Sequence, residues 1–529
     1  MSEVPPAYAR NAALMTAGTV LSRLTGLLRV SALAWALGVS ASGLADTYNT
    51  ANTAPNILYE LALGGVLTSV FIPVFVSWRR ERGRDDAWDL ARRVLTGAAV
   101  ALAALAVLGI ALAPVVARLY LGDAGAERLA LATYLLRWFM PQVVFYGIGA
   151  IAAGILNAEG RFAAPMFAPV LNNLTVIVTV LAYAALRDGA AATIDEVTGA
   201  QRLLLGAGTT LGIVAMTVAL WPSLRAVGFR WRPQGGLRHP ALGRLVRLAS
   251  WVFLYVAANQ LAYAIVVRIN NGLEPGALTA YQWAFLMFSL PHAVVAVSII
   301  TALVPAMADR WAARDRAGLA ALVSRGARDT SVVMIPAAAG LVAIGVPIAR
   351  LVLERGLTAT SDAELVGRVL QAFALGLPFF SAFQLLTRAS YATQDARTPA
   401  LVNVGAAVVN VGAAVVLAIV LDLGVQGMAL AHAASYLVGS GALLVLLRRR
   451  IGRLEGGRIV DTLVRTTMAA ALTGVAAWAT GRVLAHLAAP IQVAAAVAVG
   501  VLVFALAASI VRIGEVREVT AALRRRWGP

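Results

Sequence analysis

The chain has no cysteine and only four histidines among its 529 residues. Without cysteine it can form no disulfide and offers no thiolate to a metal ion. The histidines lie far apart in sequence, which makes a histidine metal centre improbable. They are His239, His292, His432 and His486.

Charged residues are scarce as well. They make up 13% of the chain, and hydrophobic residues make up 60%. Soluble domains have about 25% charged residues. With a mean hydropathy of +0.79, the chain has the composition of an integral membrane protein.

Lysine is absent, so the net charge of +18 comes from arginine. The arginines concentrate in short loops between apolar segments, which is typical of positive-inside topology and argues against a nucleic-acid partner. Loops 78–92, 228–243 and 448–458 are therefore expected in the cytoplasm, and the arginine-poor loops 122–128 and 187–200 outside. Both termini are predicted to be cytoplasmic. The first span is too long and too charged to be a cleaved signal.

If about 20 apolar residues are needed to cross the membrane, the sequence predicts fourteen transmembrane helices. The fold class is thus an all-α integral membrane protein. The predicted spans are 11–37, 44–77, 92–120, 129–156, 163–186, 201–227, 244–272, 277–307, 318–353, 363–393, 399–421, 424–447, 459–485 and 491–513.

The spans group into two sets of six and a final pair. The basic loop 228–243 separates the first two sets, and LNAEGRFAAP (156–165) and YATQDARTP (391–399) follow the fourth span of each set. Two such parallel repeats predict a central cavity between two lobes. We expect an N-lobe at 1–230, a C-lobe at 231–450, and a C-terminal helix pair with a basic cytoplasmic tail at 451–529.

Arg23 and Arg29 interrupt the first apolar span, LSRLTGLLRVSALAWALG. Burying a guanidinium in hydrocarbon costs about 2.5–3.5 kcal/mol, so such residues usually face a bundle interior or a watery cavity. Snorkelling to an interface is the alternative, and Arg29 lies too deep in the segment to favour it.

The sequence gives no support for catalysis by this chain. No phosphate loop of the GxxxxGK type occurs, and no catalytic triad, paired-carboxylate site or metal signature is recognisable. The sequence predicts a transporter that is not an enzyme.

Three segments carry a family resemblance: SRLTGLLRVSALAWALG, LADTYNTANTAPNILYELALGGVLTSVFIPVF and LTRASYATQDARTP. In this order, on a chain of fourteen predicted spans, they closely resemble the MurJ (MviN-type) lipid II flippases of the MOP exporter superfamily. The resemblance implies two six-helix lobes around a V-shaped cavity, with the last two helices forming a groove for a polyprenyl tail. It also implies an undecaprenyl-pyrophosphate-linked peptidoglycan precursor as cargo, in the cytoplasmic membrane of a bacterium.

The resemblance places the family's first-span cavity cations on Arg23 and Arg29, and its acidic residue after the first outer loop on Asp46. All three are expected substrate-binding residues, and Asp46 is expected to orient an arginine or to close the outer gate when the cavity is empty. The frequent arginine after the proline-asparagine pair falls on Tyr59. The eighth-span arginine falls near Leu286. This chain therefore departs from the family's cationic set at two positions.

Other residues are candidates around that set. Arg268, near the outer end of the seventh span, is a possible substrate-binding replacement, or else an interfacial anchor. Gating or structural roles are expected for Asn56, Glu60, Arg137 and Arg388, of which Arg137 is a second possible source of cavity charge.

Coupling and partners follow from the same resemblance. No cofactor is expected, but transport is expected to be coupled to the membrane potential or to a monovalent cation. Sodium coupling is described for the family, but the eleventh span offers only Asn403 and Asn410 and no carboxylate, so no ion site is assigned. The expected partners are lipid II and membrane lipids, with cell-wall synthesis or division proteins as further candidates. A related exporter of another lipid-linked oligosaccharide or of a drug, and a scaffold without transport, remain the alternatives.

Overall fold

The computed structural model describes residues 6–40, 43–63, 72–187, 193–234 and 256–517. In these ranges every regular element is a helix, which confirms the all-α fold class. Two short π-helical segments, His292–Ala296 and Val415–Val420, continue α12 and α17. The helices are α1 (Pro6–Leu37), α2 (Leu44–Leu63), α3 (Ile72–Arg82), α4 (Arg84–Ala111), α5 (Ala113–Leu121), α6 (Ala126–Phe139), α7 (Gln142–Ala158), α8 (Ala163–Ala185), α9 (Gly199–Val218), α10 (Trp221–Ala226), α11 (256–270), α12 (Ala277–Pro291), α13 (Val297–Ala312), α14 (Arg316–Leu353), α15 (Thr360–Ala374), α16 (Leu377–Ala392), α17 (Arg397–Ala414), α18 (Gly424–Ile451), α19 (Gly456–Val483) and α20 (Ala489–Ile510).

Eleven helices of the described ranges are long and apolar enough to cross a membrane, and α15 with α16, bent by 50°, forms a twelfth span if the pair is counted as one. The two remaining predicted spans, 44–77 and 244–272, run through 64–71 and 235–255, which lie outside the described residues. The count of fourteen therefore stays a prediction.

Capping side chains mark where helices α9 and α14 begin. Thr198 caps α9 through a capping box, in which its hydroxyl accepts from the Gln201 amide at 3.3 Å and its own amide donates to the Gln201 side chain at 2.9 Å. Asp315 caps α14 by accepting from the Gly318 amide at 2.8 Å. These side chains satisfy amides that the first helical turn leaves without partners.

The chain divides into two compact units, Met1–Thr279 with Arg355–Thr358, and Ala280–Glu354 with Ala359–Pro529. Helix α11 lies in the first unit. Much of the predicted lobe boundary, 228–243, falls outside the described residues, and the three predicted domains stay a prediction.

In the first unit, α1 packs along α8, α8 along α9, and α2 against α6 and α7. Glycine allows the close approach of α9 to α8: a Cβ at Gly212 would lie 2.5 Å from Asn172 Oδ1. Small residues let membrane helices pack backbone to backbone, where hydrophobic burial gives little net attraction.

In the second unit, α14 packs against α15 and α19, and α19 packs against α20. Helix α14 is kinked at Ile344 (φ −124°, ψ 22°), three residues before Pro347, whose ring obstructs the preceding helical turn. Nearer the start of α14, Arg328 donates to Glu455 at 2.7 Å and to Glu515 at 2.8 Å. These ion pairs attach the C-terminal helix pair to α14.

The two predicted repeat motifs form the same kind of turn. Helix α7 ends before Gly160 (φ +72°) with the Arg161 amide donating to the Leu156 carbonyl at 2.8 Å. Helix α16 ends before Gln394 (φ +60°) with the Asp395 amide donating to the Ser390 carbonyl at 3.0 Å. Both are left-handed helix ends of the Schellman type.

Asp395 also caps α17, since its carboxylate accepts from the Thr398 amide at 3.0 Å and from the Thr398 hydroxyl at 2.7 Å. Although burial opposes ionisation, these bonds and Arg450 keep the pKa of Asp395 below its usual range.

Candidate functional site

Arg29 lies among tyrosine hydroxyls in the first unit. Its half-buried guanidinium is within interaction range of the hydroxyls of Tyr48 and Tyr146. The Tyr59 ring packs on Tyr146 with centroids 4.9 Å apart. The Tyr48 hydroxyl bonds Thr209 Oγ1 at 2.8 Å, which holds its ring in place. We call Arg29, Tyr48, Tyr59 and Tyr146 the arginine–tyrosine cluster.

The cluster has the chemistry of an anion site. A guanidinium stays ionised and donates paired hydrogen bonds to phosphate oxygens. Tyrosine hydroxyls donate single hydrogen bonds to the same acceptors without adding charge. Tyr59, where the family pattern has an arginine, thus contributes a neutral group that packs on Tyr146.

Arg23 is exposed, about one and two-thirds turns before Arg29 on α1. The stretch between them is held to α8, because Asn173 Nδ2 donates to Thr25 Oγ1 at 3.0 Å and to the Ser22 carbonyl at 3.2 Å. Polar contacts therefore fix α1 to α8 at the level of Arg23.

Asp46 lies at the start of α2 and is 2% exposed. Its carboxylate accepts from the Gly276 amide at 2.8 Å, the Thr279 amide at 2.9 Å and the Thr279 hydroxyl at 2.6 Å. Arg128 Nη2 lies 3.9 Å from the same carboxylate. Asp46 therefore caps the first turn of α12, where a negative charge meets the positive end of the helix dipole.

Neighbouring polar side chains extend this contact. Asn49 donates to Thr279 Oγ1 at 3.0 Å, and Thr50 bonds Asn271 at 3.2 Å. Arg128 donates to Thr47 Oγ1 at 3.3 Å and to Asn271 Oδ1 at 3.4 Å. The network, which we call the Asp46 latch, joins α2, α6 and residues 271–279 within the first unit.

The other predicted residues lie apart from these two groups. The guanidinium of Arg268 lies against the backbone of Gly122, where an added Cβ would be 2.5 Å from Nη2, and its position fits an anchor for the 122–125 turn. Arg137 and Arg388 are exposed, on α6 and α16. Asn56 donates to the Asn52 carbonyl of its own helix at 2.8 Å.

The candidate positions Glu60 and Leu286 lie on different helices. Glu60 is half-buried on α2, one residue after Tyr59, and Leu286 is half-buried on α12 in the second unit. On the predicted eleventh span, Asn403 is buried and the Asn410 side-chain oxygen is buried without a hydrogen-bond partner in the described structure. Within the described ranges no three His, Asp or Glu side chains are grouped to hold a metal ion.

Sequence reasoning missed Arg128, Tyr48, Tyr146 and the segment of Gly276 and Thr279. One signal was available: polar residues recur on α2 at positions 46, 49, 53, 56 and 60, a spacing that places them on one helix face. A polar face on a membrane helix indicates polar partners or water.

The family model described as "Lipid II flippase MurJ" matches residues 33–491. The chain belongs to this family. Among curated relatives, "Lipid II flippase MurJ" of Burkholderia cenocepacia is 28% identical over 438 residues, covering 82% of each chain. "Probable lipid II flippase MurJ" of Rhizobium meliloti is 29% identical over 464 residues, covering 84% of this chain and 81% of the relative.

Solved structures agree at the level of the fold. A structure titled "Lipid II flippase MurJ, inward closed conformation" has a TM-score of 0.77 at 21% identity and covers 94% of this chain and 98% of that one. An inward-facing MATE family multidrug transporter of the MOP superfamily has a TM-score of 0.65 at 15% identity, covering 81% and 94%. The chain therefore has the fold shared by MurJ proteins and MATE transporters.

Proposed function

We propose that this chain moves lipid II from the inner to the outer leaflet of the bacterial cytoplasmic membrane by alternating access. Membership of the MurJ family supports this proposal, and the arginine–tyrosine cluster is the observation that carries it. The cargo has a pyrophosphate with roughly two negative charges, which must leave water to cross the membrane. Arg29 and Arg23 supply compensating charge, and the tyrosines supply neutral donors.

The Asp46 latch is proposed as the outer gate. Four donors lie on or near one buried carboxylate, so opening there requires several hydrogen bonds to break together. A loaded head group favours opening only if it binds the open state more tightly than the closed one. Asp46 is therefore proposed as a gating residue rather than a direct ligand of the cargo, because its carboxylate is already occupied by these donors.

Topology and partners complete the proposal. Both termini face the cytoplasm, as the distribution of arginine between loops supports. The apolar C-terminal pair α19 and α20 serves the polyprenyl chain, and the remaining partners are membrane lipids and proteins of cell-wall synthesis or division.

Depletion of the protein in its own bacterium tests the function. Lipid II exposed on the outer leaflet should fall and lipid II in the inner leaflet should accumulate, with restoration by the wild-type chain. Unchanged outer-leaflet lipid II after complete depletion would reject the proposal. If the outer-leaflet amount of another lipid-linked oligosaccharide fell instead, the cargo would be that lipid.

A further inference from the structure

A short segment between α14 and α15 lies on the C-terminal end of α1. Residues Arg355–Thr358 belong to the first unit, although the chain on either side of them belongs to the second. The Leu357 amide donates to the Trp35 carbonyl at 3.1 Å, and the Thr358 hydroxyl donates to the Ala34 carbonyl at 2.8 Å. We call residues 355–358 the strap.

The strap supplies donors where α1 needs them. The last four carbonyls of a helix have no partner within the helix, and α1 ends at Leu37. The strap bonds two of these carbonyls, and Arg187 Nη1 donates to a third, that of Ala36, at 2.7 Å. Thr358 is 4% exposed, so its hydrogen bond is shielded from water. The strap therefore stabilises the end of the helix that carries Arg29.

Glycine permits the close approach of the strap to α1. Gly356 has φ +61°, a left-handed conformation that strains other residues. A Cβ added to Gly356 would collide with the carbonyl oxygen and Cδ1 of Trp35. The backbone of the strap thus rests directly on the backbone and ring of Trp35.

The loop that follows α1 has a matching contact with the Asp46 latch. Gly276, whose amide donates to Asp46, has φ +84°. A Cβ added to Gly276 would lie 3.1 Å from the Val39 carbonyl oxygen and 3.1 Å from Ser40 Cβ. The latch and the strap therefore each place a left-handed glycine on the chain that leaves α1.

Both contacts lie on the side predicted to face outward. Helix α1 ends at Leu37, and a short loop leads from it to Asp46 at the start of α2. Arg187, which bonds the Ala36 carbonyl, is the first residue of the predicted outer loop 187–200. The low arginine content of that loop supports an outer location.

We infer that the strap is a second closure of the outer side, which must leave α1 together with the latch when the protein opens outward. This inference rests on the proposed function. Release of Asp46 alone leaves the end of α1 bonded to the strap, so outward opening requires both sets of contacts to break. Bound cargo drives this step to the extent that it binds the open state more tightly than the closed one.

A reversible cross-link between the strap and α1 tests the inference in cells depleted of the native protein. Trp35→Cys with Leu357→Cys places two thiols on residues joined by a backbone hydrogen bond, and a bis-methanethiosulfonate joins them through cleavable disulfides. Outer-leaflet lipid II should fall to the level of depleted cells and recover when a reductant is added. The matched control is Ala182→Cys with Leu186→Cys, a pair joined by a backbone hydrogen bond at 3.1 Å at the end of α8, which should have no effect.

A second measurement needs no cross-link. Thr358→Val removes the hydroxyl and keeps the branched shape, whereas Thr358→Ser keeps the hydroxyl. Each is combined with Thr47→Cys, a position that is 0% exposed in the closed latch, and labelled in intact cells with an impermeant thiol reagent. Thr358→Val should raise the labelling rate by roughly two- to tenfold, the effect of one neutral hydrogen bond lost from the closed state. Thr358→Ser should label as the Thr47→Cys single variant does.

The outcomes separate this inference from the proposed function. Normal outer-leaflet lipid II with the Trp35–Leu357 pair fully cross-linked would overturn the strap as a closure and leave the proposed function intact. Equal labelling of Thr47→Cys with threonine, valine or serine at position 358 would show that Thr358 only caps α1, which also overturns the inference. A wild-type chain that does not restore outer-leaflet lipid II would overturn the proposed function, and the labelling would still decide the role of the strap.

Discussion

Two side chains of the first unit, Arg29 and Asp46, illustrate opposite ways of keeping a charge inside a membrane protein. Asp46 is surrounded by donors, and its charge is satisfied by backbone amides, a hydroxyl and a nearby arginine. Arg29 is half-buried beside hydroxyl groups that can turn toward an anion. The first arrangement stabilises one structure, and the second leaves donor capacity for a ligand.

Arg29→Ala and Arg23→Ala should each abolish support of growth in a strain depleted of the native protein. The reason is that only a ligand or a partner justifies an arginine within an apolar span. Complementation is the measurement, with protein in the membrane quantified by an epitope tag. Arg118→Ala, which removes an exposed arginine on α5, is the control and should complement. Full growth with both span arginines replaced would contradict the assignment.

Asp46→Ala should lower the thermal stability of the detergent-purified protein more than Asp46→Asn does. Alanine leaves the amides of Gly276 and Thr279 without an acceptor, and each buried group left unsatisfied costs on the order of 1–3 kcal/mol. Asparagine keeps one acceptor oxygen and should lie between alanine and wild type. Melting curves followed by the loss of monodisperse protein give the order, and Asp123→Asn on the exposed 122–125 turn should match wild type. Equal stability of all three proteins would show that the latch contributes nothing.

Helices α7 and α16, one from each predicted set of six spans, end in the same type of left-handed turn. After α7 the left-handed position is Gly160, which adopts it without strain, and after α16 it is Gln394, which pays a steric penalty for it. The same hydrogen-bond pattern with two different residues indicates that the turn geometry, rather than the side chain, positions the proline-led helix that follows.

Gln394→Gly should therefore raise thermal stability, whereas Gly160→Ala should lower it. Both effects should be about 0.5–1 kcal/mol, the usual difference between glycine and other residues at a left-handed position. Differential scanning fluorimetry of the purified variants measures the two shifts. Shifts of the same sign for both substitutions would contradict the shared turn.

The molecule as a whole combines arginine-rich loops, which are predicted to face the cytoplasm, with a proposed cargo that is an anion. Topology is the first property to test, because the outward flipping direction depends on it. Arg232→Cys, in the predicted cytoplasmic loop, should resist an impermeant thiol reagent in intact cells, and Asp195→Cys, in the predicted outer loop, should react. The chain has no native cysteine to give background labelling. The reverse pattern would invalidate the predicted orientation.

The energy source of transport is the second property of the whole molecule to test. A charge crossing the membrane potential is worth about 2.3 kcal/mol per 100 mV. The loaded carrier is nearly neutral, so a potential that is negative inside should act on the empty cationic carrier and return it to the inward-facing state.

Collapsing the potential with an ionophore should therefore hold the protein outward-facing. Thr47 is 0% exposed and bonded to Arg128, so labelling of Thr47→Cys reports opening of the latch. Labelling should increase when the potential is lost, and this sensitivity should disappear when Arg23 and Arg29 are both replaced by glutamine. Unchanged labelling in the first experiment, or retained sensitivity in the second, would leave a chemical ion gradient as the driving force.

The amino-acid pattern was sufficient for the class of the protein and for twelve of its fourteen predicted spans, if the bent pair α15 and α16 is counted as one. Hydropathy and arginine distribution depend on transfer between water and lipid, which each segment undergoes largely on its own. The repeat motifs were equally readable, because a helix end and a following proline are local features. Resemblance then added Asp46 as a candidate and implied a cavity role for Arg23 and Arg29, although it offered no replacement for the arginine at Tyr59.

The hydrogen-bond and packing partners of these side chains became apparent only from the tertiary structure. Asp46 and Thr279 are separated by 233 positions, and Tyr48 and Thr209 by 161. A polar residue on a membrane helix must avoid lipid, but its own sequence neighbourhood does not determine which distant segment satisfies it. Packing decided that Asp46 would meet the first turn of α12, that Arg268 would lie against Gly122, and that Glu60 would have no bonded partner among the described residues. The reason is that helix contacts depend on the fit of surfaces contributed by remote parts of the chain, and this fit exists only once those parts have come together.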